Sequence, residues 1–149
     1  MSLEIPPPGT RGEKMPGAAV AIMGLIPPVY RLLGGRGMGR TVVLTTVGAK
    51  SGKKRDVHLM SFAEGDAWLV VASKGGDPKH PGWYLNMARH PDQVWVQAGT
   101  RRVRVKPELV KGADRAKAWQ RVVSEFSNYA KYEKTTDREI PVVRLTPVP

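Results

Sequence analysis

The sequence predicts a small α+β domain, an antiparallel barrel of about six strands carrying peripheral helices. Three observations lead there. Six short runs rich in β-branched and apolar residues lie between residues 41 and 145. Two of the links between them, Glu64-Gly65-Asp66 and Gly99-Thr100, are tight glycine-bearing turns of the kind that join antiparallel neighbours. Two helical stretches interrupt the strands, so helices are attached to a hairpin-built sheet. At 149 residues the chain fits one domain able to bury its own core.

Residues 1–14 are rich in proline, glycine and charge and are expected to form a flexible segment, with a single domain over 15–149. Residues 16–33 read as a short amphipathic helix interrupted near Pro27. They suggest either a peripheral membrane contact or a helix laid over one barrel end. Gly34, Gly35, Gly37 and Gly39, with Arg36 and Arg40, make a flexible basic connector. Strands are expected over 41–47, 56–62, 67–73, 93–98, 101–106 and 140–145. Val103 and Val105 alternate with Arg102, Arg104 and Lys106, as in a strand with one wet face, and Pro141 suggests that the last strand is an edge. Helices are expected near 81–89 and over about 113–131. In the second, Trp119, Val122, Val123, Phe126 and Tyr129 share a face that reads as core-facing.

The 24 lysines and arginines against 13 aspartates and glutamates give a formal net charge of +11. Such a surplus favours an anionic partner: nucleic acid, an acidic membrane surface or a polyanionic small molecule. A nucleic-acid module needs basic residues interleaved with exposed aromatics on a sheet face. Here the aromatics gather near residue 81, so no nucleic-acid partner is expected. The absence of cysteine excludes disulfides, thiolate catalysis and cysteine zinc sites. Pro6, Pro7 and Pro8 stand where the basic n-region of a secretory signal should precede an apolar run. Gly24, Pro27, Pro28 and Arg31 break the apolar stretch 17–33, so a cytoplasmic protein is expected. His58, His80 and His90 form no metal-ligand pattern, no metal is expected, and no nucleophile elbow or paired-carboxylate spacing occurs. Any enzymatic reactivity must therefore come from a bound cofactor.

Three segments can carry that chemistry. In Thr45-Thr46-Val47-Gly48-Ala49-Lys50-Ser51-Gly52-Lys53-Lys54-Arg55 a strand enters a loop with four cations within six residues. Its glycines let backbone N–H groups converge on an anion, and Arg55 offers a bidentate phosphate contact. In the segment from Val71 to Asn86 a strand ends in a Gly-rich turn with Lys74 at its lip. A helix then presents Trp83, Tyr84 and Asn86 in its first turns, where the helix end favours an anion and the rings can wall a flat ligand. Phe126, Tyr129 and Tyr132 recur every third residue and offer a ring wall and two phenols.

In the order VLTTVGAKSGKKR, ASKGGDPKHPGWYLN and YAKYEKTTDREIPVV, these segments resemble the deazaflavin-dependent nitroreductase and quinone reductase family, over about residues 29–146. The resemblance implies a split β-barrel related to the flavin-nucleotide oxidases and the cofactor F-420, whose phosphate and glutamate tail would account for the basic loop. It implies phosphate contacts from Lys50, Ser51 and Arg55 and backbone N–H groups near Ala49. It places the deazaflavin ring against Asp56, Val57, His58, Leu59 and Met60, the strand end Val71, Ala72, Ser73 and Lys74, and the helix start Gly82, Trp83, Tyr84, Leu85 and Asn86. Tyr129 would close the pocket, and Met60, Phe126 and Tyr132 would line the substrate side. The implied reaction is hydride transfer from the reduced ring to a menaquinone-like quinone or to a nitro or enone electrophile. Ser73, Tyr129 or Tyr132 would steady the developing oxyanion.

The chain departs from the family pattern at Ala49, where arginine is usual and Lys53 and Lys54 offer replacement charge. It departs also at Val57-His58, where Asn-Pro or Thr-Pro is common, at Met60 and at Thr135. These changes favour quinone over nitroimidazole reduction. The alternatives are a non-catalytic split barrel binding a cofactor or lipophile, and flavin mononucleotide (FMN) as the cofactor. The expected assembly is a monomer or weak dimer.

Overall fold

The computed structural model describes residues 3–14 and 16–149. The β-branched run Thr41–Val47 forms β1, buried from Val42 to Val47. It pairs with β2 (Lys54–Met60) on one side and with β5 (Trp95–Ala98) on the other. The remaining strands are β3 (Phe62–Glu64), β4 (Ala67–Val71), β6 (Arg101–Leu109) and β7 (Val142–Pro147). All pairs are antiparallel, in the order β2-β1-β5-β6-β7-β4-β3. The two outermost strands, β2 and β3, are separated in sequence only by buried Ser61. One continuous chain thus lies along both sheet edges and curls the sheet into a split barrel.

Seven strands replace the six expected because the run 56–62 divides at Ser61. Both predicted hairpins form around two-residue links, with Gly65 and Gly99 in the left-handed region (φ 62° and 64°) that glycine alone enters freely. The inference that the last strand is an edge is corrected. β7 pairs with both β4 and β6, and Pro141 lies just before it, where its missing N–H costs no ladder bond.

The helices are α1 (Gly17–Met23), α2 (Ile26–Leu33), α3 (Gly82–Arg89), α4 (Gly112–Glu125) and α5 (Asn128–Thr135), with a 3-10 turn at Lys74–Gly76. The predicted interruption at Pro27 sits instead at Gly24-Leu25, and Pro27 falls in the first turn of α2, where no intrahelical donor is needed. The single helix expected over 113–131 is two, because Phe126 is extended (φ −150°, ψ 97°) and Ser127-Asn128 begin a new helix.

Alternation along β4 and β7 builds two cores. Val70, Ala72, Val143 and Leu145 face the barrel interior with Val42, Leu44 and Val96, plugged by Tyr84 and Met87 of α3. Leu69, Val71 and Val142 face outward under α4 and α5, packed on Trp119, Val122 and Tyr129. The aromatics are not confined to the neighbourhood of residue 81. On the sheet, Lys54 Nζ lies 4.6 Å from the Trp95 ring centre and the Arg102 guanidinium 6.0 Å from it.

Residues 3–14 carry no helix or strand, but they are fastened to the body. Gly9 donates to Pro78 O (2.8 Å), Glu13 to Gly76 O (3.1 Å), and the Thr10 and Arg11 amides to Asp137 Oδ1 (2.8 and 2.9 Å).

Candidate active site

A cavity of about 620 Å³ opens beside the barrel. Its walls come from all three singled-out segments. Arg55 to Met60 of β2 form one wall, and Val71, Ser73, Lys74 and Gly75 form the lip. Gly82, Trp83 and Asn86 of α3 form the far wall, and Phe126, Tyr129 and Tyr132 the side nearest α5. Val20, Met23 and Gly24 at the end of α1 roof it, and Thr46 and Pro81 complete the lining. The volume falls within the range of cofactor-sized pockets.

Arg55 stands exposed at the mouth and makes no ion pair among the described residues. Lys50 and Ser51 are exposed on the adjoining loop, whose Gly48 N–H donates to Lys53 O (2.8 Å) and whose Gly52 N–H donates to Gly48 O (2.9 Å). Two expectations for this loop are corrected. The Ala49 N–H already donates to Asn86 Oδ1 (3.0 Å), while Asn86 Nδ2 donates to Thr46 Oγ1 (3.3 Å), so Asn86 clamps the loop to α3 and β1. Lys54 cannot substitute for a cation at position 49, because strand alternation turns it onto Trp95 while Arg55 faces the cavity.

Three further ring-contact candidates lie away from the cavity lining. Ala72 is fully buried in the barrel core, one residue out of phase with Val71 and Ser73. Tyr84 is fully buried too, with its hydroxyl donating to Glu4 O. It follows Trp83 by about 100° around the helix, so the two rings cannot share a face. Leu85 is 39% exposed on the outside of α3.

Along β2, Asp56 is committed elsewhere: it accepts from Arg31 and from Thr45 Oγ1 (2.6 Å). Burial pushes its carboxyl up, but those bonds and the Arg31 charge outweigh it and hold the carboxyl below its usual range. His58 is different. Its Nε2 is buried without a hydrogen-bond partner, its ring lies 5.8 Å from that of Tyr30, and burial pushes its pKa down. His58 is thus a neutral imidazole turned toward Tyr30, with its Nε2 enclosed and without a partner among the described residues.

Tyr129 packs edge-on against Phe62 (6.0 Å), Phe126 (5.6 Å) and Tyr132 (5.8 Å). Burial and neighbouring Tyr132 push its phenol up to about 12, so it remains a donor at neutral pH. Tyr84 is likewise pushed up to about 12, by burial and by Glu4 and Glu139.

These shifts bound the pH range of stability. The buried phenols of Tyr84 and Tyr129 favour their neutral forms, so their contribution is full below the unfolded tyrosine value near 10 and falls as pH rises toward about 12. His58 and His80 are pushed down, chiefly by burial, so their contribution is full above the unfolded value of about 6.5 and falls in acid. Denaturant midpoints measured from pH 4 to 12 are expected to form a plateau between about 6.5 and 10. A maximum at pH 5 would contradict the burial of both histidines.

Sequence reasoning missed the α1 roof, although Val20 and Met23 show the i, i+3 spacing of one helix face. It missed Gly75 and Pro81 as lining, and it left Arg138 without a role. Among the described residues no group of three or more His, Asp or Glu is placed to hold a metal ion.

A curled antiparallel barrel with a basic-mouthed, aromatic-walled cavity on its flank defines a split-barrel domain of the flavin-binding-like fold. The chain belongs to the F420H(2)-dependent quinone reductase family, whose model matches residues 29–147. It is 40% identical over 136 residues to an F420H(2)-dependent quinone reductase of Mycobacterium tuberculosis, covering 85% of this chain and 91% of the relative. A solved F420-H2 dependent reductase, FDR-A, is 44% identical with a TM-score of 0.65, over 72% of this chain and 94% of that one. A solved domain-swapped dimer is 36% identical with a TM-score of 0.67, over 87% and 99%.

Proposed function

We propose that the cavity binds F-420 and a quinone together, and that the chain acts as a hydride-transferring quinone reductase. The observation that carries this reading is the convergence of all three family segments on one cavity, with the unpaired Arg55 at its mouth. When bound, the reduced cofactor supplies a hydride from C5 of its deazaflavin ring to the electrophile. Lys50, Ser51 and Arg55 hold its phosphate through charge-assisted bonds. Val57, His58, Leu59, Gly82 and Trp83 wall the ring. Met60, Phe126 and Tyr132 line the acceptor side. Ser73, Tyr129 and Tyr132 offer hydroxyl donors to the acceptor oxygen that gains charge. Val20 and Met23 of α1 stand over the cavity, where they would shield a bound ring. The test is steady-state oxidation of reduced F-420 with a water-soluble menaquinone analogue, a nitroimidazole and an enone as acceptors. Turnover fastest with the quinone supports the reading. Tight cofactor binding with no turnover on any acceptor favours the non-catalytic binder.

A peripheral membrane contact is part of the proposal and would suit a lipid-soluble quinone. No helix among the described residues is long and apolar enough to cross a membrane. The α1–α2 pair nevertheless exposes Ile22 (63%), Leu25 (67%) and Leu32 (86%), with Arg36 and Arg40 on the following connector. On this reading the protein works at the cytoplasmic face of the membrane, as a monomer or weak dimer. The double variant Leu25→Glu/Leu32→Glu is expected to lose flotation with anionic liposomes while keeping turnover of a water-soluble quinone. Equal flotation of variant and wild type would remove the membrane contact.

A further inference from the structure

The segment Thr136-Asp137-Arg138 has no part in the cavity lining, yet its side chains make seven long-range hydrogen bonds to the N-terminal segment and the cavity lip. The Arg138 side chain is almost wholly buried. Its Nη2 donates to Ser73 O (2.7 Å), its Nε to Asp77 O (2.8 Å), and its Nη1 lies 3.3 Å from His80 Nδ1. A guanidinium only donates, so His80 Nδ1 accepts and its proton sits on Nε2, which donates to Pro6 O (2.7 Å). Thr136 Oγ1 donates to Arg11 O (2.9 Å), and Asp137 accepts from Thr10 and Arg11. Three pieces of chain meet here: the N-terminal segment, the cavity lip from Ser73 to His80, and the stretch leaving α5.

The lip is the part that needs holding. Lys74 has φ 45°, a left-handed conformation that costs a non-glycine residue energy, and Gly75 and Gly76 follow at φ 62° and 87°. Ser73, Lys74 and Gly75 all line the cavity. Arg138 grips the carbonyls on both sides of this left-handed turn, at Ser73 and Asp77.

We propose that Arg138 is a positioning residue. Its planar fork spans the lip from Ser73 to Asp77 and fixes Ser73 and Lys74 against the cofactor cavity. The proposal rests on the quinone reductase reading for what fills the cavity, but not for the clasp itself. Lysine at this position keeps the charge and loses the fork, so it cannot bond both carbonyls and the histidine at once.

The test uses Arg138→Lys in the full chain, with Arg115→Gln as the control. Arg115 also donates to a backbone carbonyl, Ile140 O (2.8 Å), and pairs with Glu139 (3.3 Å), but it bonds neither the lip carbonyls nor His80. Amide exchange is read at Gly76 and Asp77, whose N–H groups close the lip turn onto Ser73 O and Lys74 O. In Arg138→Lys these amides are expected to exchange at least about tenfold faster while β1 amides keep their protection, and the Kd for oxidised F-420 is expected to rise about tenfold. In Arg115→Gln the melting temperature falls and both readouts stay. Unchanged lip exchange in Arg138→Lys, or the same change in both variants, overturns the proposal. If Arg138→Lys does not fold, the Arg138 Nε–H resonance of the wild type decides. It is expected to shift when F-420 is added while that of Arg115 does not, and no difference between the two overturns the proposal. Failure of the wild type to bind F-420 counts against the function proposed above, and lip exchange then judges the clasp alone.

Discussion

Replacing Arg55 by glutamate is expected to lower kcat/KM for reduced F-420 by roughly a thousandfold. Arg55 stands at the cavity mouth with no carboxylate partner, so its guanidinium is free to grip a phosphate. Removing a charge-assisted bond of this kind costs about 1.5–3 kcal/mol, and a like charge in its place adds repulsion. Arg55→Lys keeps the charge but not the fork and should cost about tenfold. Since the side chain is exposed and unpaired, neither variant should move the denaturant midpoint appreciably. The loss should shrink as salt rises, because an exposed ionic contact is screened. A glutamate variant with wild-type Kd for F-420 would put the phosphate elsewhere.

Tyr129 separates packing from chemistry. Tyr129→Ala removes a buried ring that touches Phe62, Phe126 and Tyr132, and should cost about 3–5 kcal/mol of stability, as for other buried aromatics. Tyr129→Phe keeps the ring and removes only the hydroxyl. Its stability should stay near that of the wild type, while kcat with a quinone falls about a hundredfold if the phenol steadies the developing oxyanion. With the phenol pushed up to about 12, the wild type should show no loss of turnover with a midpoint near pH 10 from this group. Full turnover in Tyr129→Phe and in Tyr132→Phe would remove the phenols from the reaction and leave Ser73 as the donor.

The parts of this fold legible in the sequence are those fixed by local chemistry. Gly65 and Gly99 announce their hairpins because a two-residue turn needs a left-handed residue, and the apolar stripe of α4 announces its core face. Pairing between distant strands is not local, so Pro141 was a poor guide to the place of β7, which depends on both β4 and β6. The site shows the same division. The family motifs identified the walls, but motif membership does not say which way a side chain points. Tyr84 and Ala72 belong to the motifs and face the core because their neighbours face the cavity. The N-terminal segment reads as loose chain since its proline and glycine bury little. Its attachment runs through backbone groups to Asp137 and His80, residues far along the chain that no local pattern connects to it.

The most direct test of the central claim is a tryptophan-fluorescence titration with oxidised F-420, with FMN in parallel, at low and high salt. Trp83 lines the cavity and is one of four tryptophans in the chain. The account predicts strong quenching by F-420, weaker at high salt, and a much smaller response to FMN. No quenching by F-420, or a preference for FMN, would contradict it.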